Sequence, residues 1–168
     1  MILDTETTGH GNADIIEFAA VTPSGRTLVD TLIRPRQPIP PFITQLTGIS
    51  EAMVAGAPPF AEAYHRLLLP QLGRKILAYN ISFDVPVLRK NIRRHCGHDW
   101  QPVDSACLMR AYAHYRDERY PAGDTHVGRL RVHKLASACA QMGIAHEHAH
   151  RALGDSQVSA LLLQAMAE

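Results

Sequence analysis

The chain opens on Met1-Ile2-Leu3-Asp4-Thr5-Glu6-Thr7-Thr8-Gly9, an apolar strand start that carries two acids before its first glycine. Residues i and i+2 of a strand project from one face, so Asp4 and Glu6 stand side by side as like charges. Carboxylates withdrawn from water without a partner are heavily penalised or take up protons. A divalent cation held by oxygen ligands accounts for such a pair; an exposed strand end with solvated acids is the bland alternative.

Around this strand the hydrophobic pattern lays out a single α/β domain, 1–168. Ile15 to Val21 and Thr27 to Ile33 flank the turn Pro23-Ser24-Gly25-Arg26 and continue the first strand into an antiparallel meander. Arg34 to Pro41 reads as proline-rich loop, and short helical pieces are expected between Phe42 and Ala55. Pro58-Pro59 opens a helix with Phe60, Tyr64, Leu67 and Leu68 inward. Lys75 to Tyr79 is a fourth strand, followed by a helix with Asp84 just ahead of it and Pro86 in its first turn. Val103 ends a short fifth strand before a helix capped by Asp104 or Ser105. Tyr115 to Val132 is a long loop, Gly143 closes the next helix, and a last helix covers roughly Ala152 to Ala167. Strands first in a meander and then alternating with helices predict a mixed five-stranded sheet, an antiparallel meander plus parallel strands, flanked by helices.

Composition bounds the function only loosely. A net charge of +1 with ten histidines uncounted does not point to nucleic acid by global electrostatics. Locally, Arg110 to Lys134 holds six Lys or Arg against three acids, with Tyr112, Tyr115 and Tyr120 interleaved. That pattern suits a phosphate-tracking, base-stacking surface or a solvated loop. Three cysteines without a C-x-x-C pair support neither a disulfide framework nor a zinc ribbon. No segment approaches the roughly 18 apolar residues of a membrane span or begins like a secretory signal. A cytoplasmic protein with no membrane partner is expected.

Other acids face the wrong way. In the last helix Val158, Leu161, Leu162 and Ala165 form the expected buried stripe, and Asp155 lies three residues before Val158 on the same face. It is either a metal ligand or a satisfied buried acid. Asp84 divides between a helix cap and a catalytic role. His150 precedes Asp155 by five residues; in one ideal helix the two would diverge by about 140°. Convergence therefore requires His150 to lie in the preceding loop, where a neutral imidazole is suited to accept a proton from water. The alternation His146, His148, His150 lacks the partners of a zinc motif. Glu17, an acid in an apolar strand, is expected to play a hydrogen-bonded structural role.

Together these residues resemble the DEDDh subclass of the DnaQ-like 3′–5′ exonucleases, with a ribonuclease H-like fold. The motifs are Asp4-Thr5-Glu6-Thr7-Thr8-Gly9, Tyr79-Asn80-Ile81-Ser82-Phe83-Asp84 and His150-Arg151-Ala152-Leu153-Gly154-Asp155, and the likeness spans nearly the whole chain. Leu32-Ile33-Arg34-Pro35, Ile49-Ser50-Glu51-Ala52-Met53-Val54 and His148-Ala149-His150-Arg151-Ala152-Leu153 bring the exonuclease X branch nearest, with the proofreading subunits of replicative polymerases next. The short stretch after Asp155 offers no polymerase-docking tail, so a stand-alone enzyme is expected, of unspecified oligomeric state.

The resemblance implies two Mg²⁺ ions, with Mn²⁺ as a substitute: Asp4, Glu6 and Asp155 around one, Asp4 and Asp84 around the other, and His150 as general base. It further implies that the Thr7 amide, His10, Asn80 and Phe83 contact the terminal nucleotide. The expected substrate is DNA, single-stranded or at 3′ ends, and the products are nucleoside 5′-monophosphates. An exoribonuclease of the same fold, or a noncatalytic module gripping nucleic-acid 3′ ends, is the alternative. Tyr79 and His10 depart from the residues common at their positions, and neither change removes a metal ligand.

Overall fold

The computed structural model describes residues 1–167. Its central strand is β1 (Ile2–Thr7), paired antiparallel with β2 (Ile15–Val21), which pairs antiparallel with β3 (Thr27–Leu32). On its other side β1 runs parallel to β4 (Ile76–Ala78), and β4 parallel to β5 (Ser105–Cys107), giving the sheet order β3-β2-β1-β4-β5. This is the expected mixed sheet, with the meander on one edge and the parallel strands on the other.

Alternation along β1 divides the molecule into layers. Leu3 points into a core shared with Phe18, Ile76, Val87, Leu88 and Ile92. That core is covered by α4 (Ile81–Cys96) and by α3 (Phe60–Ala63), which winds into a π-helical turn at Tyr64–Leu68. Ile2 points the other way, toward Val21, Leu108, Tyr112, Ala160 and Leu162. Here the cover is α5 (Leu108–Arg116), α6 (Leu135–Gln141) and α7 (Ala152–Ala165). Two short helices, α1 (Pro41–Thr47) and α2 (Glu51–Val54), bury Ile43, Ile49 and Val54 against Ile16. Each such large aliphatic side chain contributes about 1.5–3 kcal/mol. Among the described residues no helix is long and apolar enough to cross a membrane.

Several local expectations are corrected. The π turn rotates the end of α3, so Leu68 is buried while Leu67 is exposed. Helix α4 begins at Ile81, which puts Asp84 inside its first turn rather than ahead of it and carries Pro86 past that turn. Val103 is exposed and outside the strand; Ser105 belongs to β5, and Cys107 rather than Asp104 or Ser105 precedes α5. On α7 Val158 and Leu162 are buried as expected, but Leu161 is exposed and the buried face also runs through Ala152, Ser156, Ser159 and Ala160. Those small side chains let the helix lie close to β2, where the Ser156 hydroxyl donates to the Ala19 carbonyl.

Candidate active site

The site forms at the carboxyl end of β1, where the strand's two outward acids meet the first turn of α7. Asp4 and Glu6 share the α7 face of the sheet, and one carboxylate oxygen from each, with one from Asp155, all lie within 4.8 Å of one another. Residues from the two ends of the chain thus present oxygen atoms to one point. The sequence pattern identified all three.

A second acid pair explains how α7 is held there. Glu17 on β2 stands directly opposite Glu6, a cross-strand like-charge pair that is unfavourable by itself. Arg151, just before α7, closes on Glu17 with Nη2 2.6 Å and Nε 3.1 Å from Oε1, and the Ala152 amide donates to Oε2 at 2.8 Å. A carboxylate is favoured at a helix N-terminus, so Glu17 anchors the start of α7 beside the β1 acids. This is the structural role expected for Glu17. Arg151 went unrecognised in the sequence; its signal was an unpaired cation at a helix start to match the lone acid of an apolar strand.

Asp84 approaches from the opposite layer. Its side chain is buried, outside the triangle of the other three acids, and accepts a 2.9 Å hydrogen bond from the Thr5 hydroxyl. Thr5 alternates with Asp4 and Glu6, so β1 presents two acids to α7 and a hydroxyl to α4. Placement within the helix removes the capping alternative for Asp84. The N-cap position belongs to Asn80, whose side chain makes no capping bond and is exposed. In the first turn of α4, Phe83 meets the exposed ring of His10 edge to face, centroids 6.0 Å apart. The Thr7 hydroxyl is spent on the Gly9 carbonyl at 2.7 Å. A register shift after Glu6, where Thr7 pairs with Ile15, marks the strand end.

The histidines are distributed differently from expectation. His150 lies in the loop before α7, as convergence required, but it is exposed and takes the left-handed backbone conformation at φ 62°. The imidazole on Asp155 belongs to His146, with Nε2 2.6 Å from Oδ1. Alternating histidines carry no phase that distinguishes one from another, so no sequence signal separated His146 from His148.

Electrostatics sets these acids apart. Burial pushes the Asp4 carboxyl well above the usual range, and Asp84, Asp155, Glu6 and Glu17 push it further. Glu6 rises to about 8, first through burial and then through Asp155, Glu17 and Asp84, with Arg151 opposing. Burial lifts Asp84 to about 7 against the bond from Thr5. Arg151 offsets only part of this repulsion, and the hard oxygen donors of the set fit a divalent cation of the Mg²⁺ type.

Known proteins agree with this architecture. The exonuclease family described as RNase_T matches residues 1–163. An uncharacterized exonuclease, CP81 of Escherichia phage 186, is 30% identical over all of this chain and 88% of its own length. The chain spans only 22, 7 and 26% of other curated relatives. Exonuclease X in complex with 5′ overhanging duplex DNA superimposes with a TM-score of 0.64 at 26% identity, over 98% of this chain and 89% of that one. The nuclease domain of 3′hExo, a DEDDh member bound to rAMP, gives 0.76 at 19% identity, covering 99 and 90%. Family match, sheet order and clustered acids together make this chain a member of the DEDDh branch of the DnaQ-like 3′–5′ exonucleases.

Proposed function

We propose that the chain is a divalent-metal-dependent 3′–5′ exodeoxyribonuclease that releases nucleoside 5′-monophosphates one at a time from DNA 3′ ends. The observation that carries this is the convergence of carboxylate oxygens from Asp4, Glu6 and Asp155 on one point, with the carboxyls of Asp4 and Glu6 pushed above their ordinary range. Asp4, Glu6 and Asp155 would hold one Mg²⁺, and Asp4 with Asp84 a second. When bound, such a pair supplies Lewis-acid activation of a water and neutralises charge on the leaving oxygen.

The chain's own groups do the rest. His150, next to the Arg151 anchor, takes the proton that the attacking water loses, while the new P–O bond forms and the bond to the 3′ oxygen breaks. That oxygen then collects a proton from solvent. His150 is exposed in its loop, so its imidazole is not buried against the rest of the protein. The uncommitted side chain of Asn80 is available to the terminal sugar, and Phe83 with His10 offers an aromatic rim on which a base stacks. Because the Thr7 hydroxyl is engaged with Gly9, it is the Thr7 main chain that would touch the nucleotide.

DNA is favoured over RNA because the Thr7-Thr8-Gly9 segment is similar to that of DNA-directed members and because exonuclease X, also similar in sequence, was solved with duplex DNA. End-labelled DNA and RNA oligonucleotides of matched sequence, each digested with Mg²⁺ or with EDTA, test this. Mononucleotides released from the DNA 3′ end only with Mg²⁺ are expected; faster RNA turnover would transfer the assignment to exoribonuclease. No turnover of either, with DNA binding intact in both wild type and Asp4→Ala, would leave a noncatalytic binding module.

A further inference from the structure

The loop before α7 is fastened at both ends and touches the helix in between. At one end the Ile144 amide donates to Cys139 at the close of α6; at the other, Arg151 and the Ala152 amide grip Glu17. Between them residues 145–150 form a strap across the N-terminal turns of α7. Gly154 is where it seats: a methyl group there would collide with the His148 carbonyl oxygen and stand 2.8 Å from the His148 Cβ. Grooves of about 320 and 170 Å³ flank this crossing, so the strap has room on both sides.

Two features mark its position as held rather than relaxed. His146 is nine-tenths buried and donates through Nε2 to Asp155, which leaves its Nδ1 buried without a hydrogen-bond partner. An orphaned buried polar atom is unfavourable, and the hydrogen bond that the His146 ring makes among the described residues is the one to Asp155. The second feature is the left-handed backbone of His150, unfavourable for a residue with a side chain. Both penalties end if the strap lifts.

Resting on the metal assignment above, we propose that His146 is a latch. Its Nε2 occupies Asp155 Oδ1 and keeps the strap down with His150 turned to solvent; a cation that claims Asp155 takes the place of that bond. The strap then releases and carries His150 across the site while Arg151 stays anchored. One loop thus offers two imidazoles in turn, His146 when the acids are bare and His150 when they are occupied. A latch of this kind lowers apparent metal affinity by the fraction of molecules that are open.

Calorimetric titration of Mg²⁺ into the EDTA-stripped full chain tests this without substrate. Removal of the bond in His146→Ala should tighten Mg²⁺ binding about tenfold, the scale of one hydrogen bond to a charged group. His146→Gln, whose amide can still reach Asp155, should fall between Ala and wild type. Amides 145–150 of the wild type should exchange faster with deuterium once Mg²⁺ is added, and those of folded His146→Ala should exchange fast throughout. Unchanged or weaker Mg²⁺ binding by folded His146→Ala, or strap protection indifferent to Mg²⁺, would overturn the latch and leave the metal assignment standing. Absence of Mg²⁺ binding to folded wild type would sink both.

Discussion

Asp14 and Asp4 are acids of one strand-loop-strand unit, and the protein treats them in opposite ways. Asp14, buried in the loop between β1 and β2, collects donors on both oxygens. The amides of Arg36 and Gln37 reach Oδ2 at 2.8 and 3.2 Å, and Arg94 Nη1 and His95 Nε2 reach Oδ1 at 2.7 and 3.2 Å. Burial alone would raise its pKa, but the bonds from Arg36, His95 and Gln37 hold it below the usual range. Asp4 keeps some contact with solvent, yet protein and other acids surround its carboxyl and its pKa is driven up. A compensated buried acid ties loops to α4; an uncompensated one stores unfavourable energy that a bound cation would relieve. Between Asp14 and Asp4 it is the donors around the carboxyl, not burial, that decide the direction of the shift.

Exchanging the two treatments gives the largest effects. Asp4→Asn should lower turnover on DNA on the order of 10³-fold, while raising the melting temperature in EDTA, because it removes one of several crowded like charges. Asp14→Ala should do the reverse: it strands Arg94 and His95 and costs about 3 kcal/mol of stability, with activity falling only as the folded fraction falls. Steady-state rates and urea midpoints on both variants separate the two acids. Loss of activity without destabilisation in Asp14→Ala would erase the contrast.

The pH dependence of stability sharpens it. Glu6 and Asp84 titrate near 8 and 7 when folded, against ordinary values of 4.5 and 3.8. Between those limits the native state binds more protons than the unfolded chain, so the stability these groups contribute is complete below pH 4 and lost as pH rises toward 8. Asp14 acts in the opposite sense: its contribution is present above about pH 4 and disappears as pH falls through its lowered folded value. In EDTA, denaturant midpoints should decline from pH 5.5 to 8. Saturating Mg²⁺ should flatten that decline, stabilising more at pH 8 than at pH 5.5.

What the sequence revealed divides along the same line. Asp4, Glu6 and Asp155 were legible because an acid on an apolar face contradicts the pattern around it, and β1 and the last helix are regular enough for that pattern to have a phase. The meander and the parallel strands followed from strand and turn chemistry. Asp84 was misplaced by a few residues because Ile81 and Phe83 extend α4 toward β4, which no local capping signal announced. The phase of Leu67 was lost to a π turn and that of Leu161 to a helix whose sheet-facing side is lined with serine and alanine. The donors of Asp14 come from the β3–α1 loop and the last turns of α4, and His146 reaches Asp155 from the irregular loop before α7. Compensation is a tertiary property, so the feature that separates the two kinds of acid was the part the sequence concealed.

Glu17 lies between the extremes, since it is paired with Arg151 yet still acts on the site. Glu17→Gln keeps an acceptor for the Ala152 amide but surrenders the charge that Arg151 closes on. With Arg151 partly solvated, a stability loss of about 1 kcal/mol is expected. The Glu6 carboxyl should titrate lower in the variant, because the charge directly opposite it is gone and a lower value follows for its ionisation. Carboxyl-carbon NMR across a pH series reads this directly. An unmoved Glu6 would mean that Glu17 anchors α7 without tuning the site.

The smallest effect is expected where no charge is involved. His10 touches the ring of Phe83 edge to face at the mouth of the site and is exposed, so its loss disturbs neither the acids nor the core. If the pair stacks on the terminal base, His10→Ala should raise the KM for single-stranded DNA about fivefold, the low end of a base-stacking contribution, and leave kcat unchanged. Because the two rings are in contact, His10→Ala and Phe83→Ala should combine to less than the product of their separate effects. A multiplicative result would show that the rings meet different parts of the substrate. An altered kcat would place His10 within reach of the reacting phosphate and move the boundary between binding rim and acid cluster inward.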